Sequence, residues 1–72
     1  MNGVRIDILS RLIGEYRETK RNPVVIHTKK FIYYMTVGEN EHGIYKKCTV
    51  RTYDKRTGYT TTSDHLISIE YL

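Results

Sequence analysis

Tyr45, Lys47, Arg51 and Tyr53 recur at even spacings along Tyr45-Lys-Lys-Cys-Thr-Val-Arg-Thr-Tyr53. In an extended strand, successive side chains point to opposite faces, so these four share one face while Ile44, Cys48 and Val50 take the other. Aromatic rings and cations about 7 Å apart along one strand side can stack on bases and pair with phosphates, which is the chemistry of single-stranded nucleic-acid binding. Lys55 and Arg56 in the following turn, and Lys29 and Lys30 near an earlier strand pair, would extend the cationic track. The same tyrosines have a plainer reading: tyrosine is a good strand residue whose ring packs across strands while its hydroxyl stays wet.

Other chemistry has less support. His27, His42, His65 and Cys48 are far apart, without the paired spacing of metal ligands, so neither a metal nor another cofactor is expected. His65 reads as a partly buried residue at a corner, and Cys48 as a small core hydrophobe. The carboxylates are scattered, no glycine-rich phosphate loop is present, and Ser10, Ser63 and Ser68 lack a nucleophile setting. A non-enzymatic protein is expected.

Seventy-two residues with one cysteine make one domain, 1–72, with a single core and no internal disulfide, a pattern suited to a reducing compartment. No apolar run approaches the roughly 20 residues of a membrane span, and the first residues do not resemble a signal peptide, so the expected location is cytoplasmic, away from membranes. The net charge of +4 is unevenly spread. Arg17 to Lys30 carries five cations against Glu18, Lys46 to Arg56 carries five against Asp54, and the remainder is acidic. Folding that joins the two basic blocks would create a patch attractive to phosphates or acidic surfaces.

These residues must be positioned by the elements around them. A helical period over about 4–21 places Ile6, Leu9, Ile13 and Tyr16 on one stripe, widened by Ile8 and Leu12, with Arg11 spaced to pair with Asp7 and Glu15. Asn22-Pro23 should end that helix. Val24–Thr28 and Phe31–Val37 have strand composition; Lys29-Lys30 is either a turn or part of one long bent strand, and the absence of glycine there leans toward the strand without deciding between them. Gly38–Gly43 reads as a hairpin loop, and Asp54-Lys-Arg-Thr-Gly58 as a type I turn with a glycine bulge. A short strand over 59–62, a one-turn corner at Ser63-Asp64 and a closing strand over 65–72 complete the pattern. The expected fold is α+β: an N-terminal amphipathic helix on a four- to five-stranded bent antiparallel sheet over about 23–72, curled into a small barrel that protects its edges.

Helix, strand pair, Thr49-Val-Arg-Thr-Tyr-Asp54, short strand, then Asp64-His-Leu-Ile-Ser-Ile-Glu-Tyr71 resembles the Sm-like small barrels, and among them the bacterial YolD-like family. Asp64, Leu66, Ile67, Ile69 and Glu70 sit where that family's closing pattern expects them. Cys48-Thr49 stands where such barrels often place a glycine, so the bend is expected to be smaller or borne by a bulge. The resemblance implies nucleic-acid transactions or regulation rather than catalysis, and assigns no individual binding residue.

Two functional classes follow. One is a small nucleic-acid-binding protein using Tyr45, Lys47, Arg51 and Tyr53, with Lys55, Arg56, Lys29 and Lys30 steering. The other is a protein-binding inhibitor or regulator, of phage or mobile-element type, acting on a host protein. Seven tyrosines suit such an interface, and an exposed edge at Val24 to Val37 could add a strand to a partner. The broad apolar stripe of the helix also raises the prospect of a homodimer.

Overall fold

The computed structural model describes residues 5–72, and Val4, the expected start of the helix, lies outside them. The chain runs α1 (Ile6–Thr19), β1 (Val24–His27), β2 (Phe31–His42), β3 (Tyr45–Asp54), β4 (Thr60–Ser68) and a terminal turn of 3₁₀ helix, Ile69–Tyr71. The four strands form one antiparallel sheet in the order β1-β2-β3-β4, and α1 lies across one face of it. The α+β arrangement is therefore as the sequence predicts.

Helix α1 stops earlier than Asn22-Pro23. Lys20 turns left-handed (φ 56°) and its N–H donates to the Tyr16 carbonyl at 2.7 Å, a bond that satisfies a free carbonyl of the last turn and redirects the chain. The buried stripe is also rotated from the one expected. Ile8, Leu9 and Leu12 are buried, Ile13 and Tyr16 pack against them, and Ile6 stands 77% exposed. Ile6 lies in the first helical turn, where the chain has only begun to run over the sheet. Arg11 does not form the expected pairs within the described residues, and Asp7 pairs with Arg5 at 3.3 Å instead.

Alternation along the strands builds the core. Tyr33, Met35 and Val37 of β2 turn toward α1 together with Val24 and Ile26 of β1 and Cys48 and Val50 of β3. Leu12, Met35, Cys48 and Val50 are the most enclosed. Cys48 is a core residue, as expected, and burial pushes its thiol up from the ordinary value. Ile44 is a correction: it sits in the turn between β2 and β3, 66% exposed, instead of facing inward with Cys48 and Val50.

Lys29-Lys30 forms a turn, not the middle of one long strand. The Thr28 N–H donates to the Phe31 carbonyl at 2.8 Å, and the Phe31 N–H donates back to the Thr28 hydroxyl at 3.1 Å. The threonine side chain supplies the turn chemistry that makes a glycine unnecessary there. The Gly38–Gly43 loop is likewise replaced by strand: β2 continues to His42, and only Gly43-Ile44 separates it from β3. Gly43, at φ 67°, takes the left-handed position that a two-residue hairpin gives to glycine. The excess residues are absorbed as an irregularity in which Gly38, Glu39 and Asn40 face the single Lys47. The Asp54–Gly58 turn forms as predicted, with the Gly58 N–H donating to the Asp54 carbonyl at 2.8 Å and Gly58 at φ 78°.

The sheet does not close into a barrel. Strand β4 keeps register with β3 straight through Ser63 and Asp64, which pair with Val50 and Thr49, so no corner forms there and His65 is a strand residue, its ring Nε2 2.9 Å from the Ser63 hydroxyl. Neither strand has a glycine in this stretch to bear a sharp bend, and β1, with four residues, is too short to curl round to β4. After Ser68 the chain coils into 3₁₀ helix over Ile69–Tyr71, in place of the continued closing strand. Beyond the short β1, the edge of β2 is blocked by a side chain. Asn22 accepts from the Val37 N–H at 3.1 Å and donates to its carbonyl at 2.8 Å, standing in for a neighbouring strand.

Candidate functional site

The face of the sheet turned away from α1 carries Val25 and His27 of β1, Ile32, Tyr34 and Thr36 of β2, the odd-numbered residues Tyr45 to Tyr53 of β3, and the even-numbered residues Thr60 to Ser68 of β4. No element covers it among the described residues. Tyr45, Lys47, Arg51 and Tyr53 are all on this face, along a strand side spanning about 27 Å from first to last at strand rise.

Arg51 is at its centre. Its register partners are Tyr34 on β2 and Thr62 on β4, with Tyr53 two residues along on the same side. Tyr34, Tyr45 and Tyr53 are 38, 41 and 40% exposed, so each ring is held by its neighbours yet keeps surface open to a ligand. No carboxylate pairs with Arg51 among the described residues. On this face its position lies opposite Tyr34 and two residues from Tyr53, and an arginine with no carboxylate partner can stack on a base or pair with a phosphate. Lys47 is differently placed. Its ammonium is 3.7 Å from Asp64, whose carboxylate also accepts the Thr49 hydroxyl at 2.8 Å. Asp64 therefore offsets part of the charge at that end of the row.

The cationic residues outside the row gather at one end. The turn between β1 and β2 holds Lys29 and Lys30, and the turn between β3 and β4 holds Lys55 and Arg56. The turns are joined: the Lys55 N–H donates to the Lys30 carbonyl at 3.0 Å, and the Lys55 ammonium to the Thr28 carbonyl at 2.8 Å. Thus residues from both basic blocks do meet, beside the Tyr53 end of the row. The other part of the first block, Arg17, Lys20 and Arg21, is at the C-terminal end of α1. Lys20 lies over the Tyr16 ring at 5.1 Å and donates to the carbonyl of Leu72.

Arg56 is less available than its neighbours. Its guanidinium donates twice to Asp54, at 3.2 and 3.1 Å, and lies 5.4 Å over the Phe31 ring. Those bonds hold the Asp54 carboxyl below the usual carboxylate range and raise the Arg56 pKa in turn. The pair fastens the turn onto the end of β2.

The sequence reading overlooked Tyr34, and with it Ile32 and Thr36. The signal was present: once Phe31, Tyr33, Met35 and Val37 are assigned inward, Ile32, Tyr34 and Thr36 must face outward. No group of three or more His, Cys, Asp or Glu residues that could hold a metal ion occurs among the described residues. No helix there is long and apolar enough to cross a membrane. No protein-family model matches the chain, and no curated protein or solved structure is significantly similar to it.

Proposed function

We propose that this protein is a non-enzymatic, cytoplasmic nucleic-acid-binding protein that takes single strands across the open face of its sheet. The observation that carries the reading is the cluster of Tyr34, Arg51 and Tyr53 on an uncovered face, continuous at one end with the joined lysine turns. Bases stack on the exposed tyrosine rings, Arg51 and Lys47 meet backbone phosphates, and Lys29, Lys30 and Lys55 draw the polyanion to that end. Binding of this kind tolerates sequence, because every base offers a ring face.

A titration with single- and double-stranded DNA and RNA oligonucleotides tests it. Binding in the micromolar range that weakens steeply between about 50 and about 200 mM salt is expected, since each neutralised phosphate releases counterions. The double variant Lys47→Ala/Arg51→Ala should lose most of it. Absence of binding at about 50 mM salt would sink the proposal and promote a protein partner, the class favoured by the apolar side chains exposed elsewhere on the molecule, Ile6 and Ile44 among them.

A further inference from the structure

Helix α1 leans on β1, on one side of the sheet. The part of the inner face formed by β4 therefore lacks a helix above it, and among the described residues Ile67 and Leu72 are the apolar side chains of the C-terminal segment packed against the core. What remains between α1 and the chain end is an open groove of about 670 Å3. Its lining includes Ile6, Leu9 and Ile13 of α1 and Ile67 of the inner face, and at the β4 edge it reaches Ile44, Tyr71 and the outward-facing Leu66. Ile6, Ile44, Leu66 and Tyr71 are 77, 66, 59 and 54% exposed.

Tyr45, 41% exposed, also borders the groove, so large apolar or aromatic side chains stand open to water along its rim. The charges at the groove point to which partner. Arg17 and Glu70 both line it, with opposite signs, and neither forms an ion pair within the described residues. A two-fold interface brings the same patch of two copies together, so that residue i meets j while j meets i. Arg17 of each copy can then meet Glu70 of the other, whereas a strongly acidic or basic partner would be matched by a rim of one sign.

We propose that this groove is the seat of a second copy of the chain, with the exposed Ile6 end of each α1 entering the groove of the other about a two-fold axis. The groove touches the row only at its Tyr45 end, and the Tyr34, Arg51 and Tyr53 cluster at the other end stays open in the dimer.

Sedimentation and light scattering of the full chain from about 1 to about 200 µM test the proposal. Twice the chain mass is expected at the upper concentrations. Ile6→Glu, at an exposed position and checked for an unchanged circular-dichroism spectrum, should weaken association at least tenfold. Arg17→Glu and Glu70→Arg should each weaken it, and the two together should restore it, a rescue that loss of folding would not produce. A wild-type chain that keeps a single-chain mass at about 200 µM overturns the proposal and leaves the groove to a different occupant. So does a dimer indifferent to Ile6→Glu or to the charge exchange.

Discussion

Among the cations of the proposed interface, availability separates residues that composition treats as equal. Arg51 is unpaired within the described residues, Lys47 shares Asp64, and Arg56 is committed to Asp54. A phosphate competing for Arg56 must first displace a carboxylate that makes two bonds to the guanidinium. Arg51→Ala is therefore expected to cost much more oligonucleotide affinity than Arg56→Ala. Tyr53→Ala should cost about 1–3 kcal/mol, the loss of one stacking platform. Asp64→Asn should tighten binding by freeing Lys47 from its counter-charge. Equilibrium titrations of the four variants at one salt concentration provide the check, and equal losses for Arg51→Ala and Arg56→Ala would contradict this ranking.

At the scale of elements, the sheet is held to α1 by few anchors, so their removal should be costly. Leu12 is fully enclosed, and Leu12→Ala should destabilise the fold by about 2–5 kcal/mol, as large-to-small changes in a packed core do. Asn22→Ala removes both bonds to Val37 and uncovers the edge of β2, with an expected cost of about 1–2 kcal/mol. Urea unfolding followed by circular dichroism measures both, and a near-zero effect for Asn22→Ala would show that water replaces the clamp without loss.

The order of the elements, the faces of β3 and the Asp54–Gly58 turn were legible in the sequence because alternation and turn chemistry are local. What was not legible depended on contacts between distant residues or on substitutes for the usual turn residues. Thr28 turns the chain where the absence of glycine argued for a continuous strand, Lys20 ends α1 before Pro23, and the run from Gly38 is kept in β2 by an irregularity opposite Lys47. Which part of the helical stripe would be buried depended on where α1 lands on the sheet, a tertiary fact no period reveals.

For the molecule as a whole, openness of the sheet is the feature that matters most. A closed barrel would have buried one surface and hidden its edges, but here β1 and β4 remain separate edges and, among the described residues, no element covers the face away from α1. A helix on the inner side, a basic end and a tyrosine-bearing outer face give the molecule distinct sides, and the proposed role requires the ligand to choose the outer one. The basic residues at the C-terminal end of α1 and just beyond it provide an internal control, since a purely electrostatic, unlocalised attraction would draw a polyanion to Arg17 and Arg21 as readily as to Arg51. Backbone amide shifts of the isotopically labelled chain, followed by nuclear magnetic resonance during titration with a short oligothymidylate, distinguish these outcomes directly. Saturable shifts concentrated at Tyr34, Arg51, Tyr53 and the Lys29-Lys30 and Lys55 turns, with α1 unmoved, are the predicted result; shifts confined to α1, or none, would contradict it.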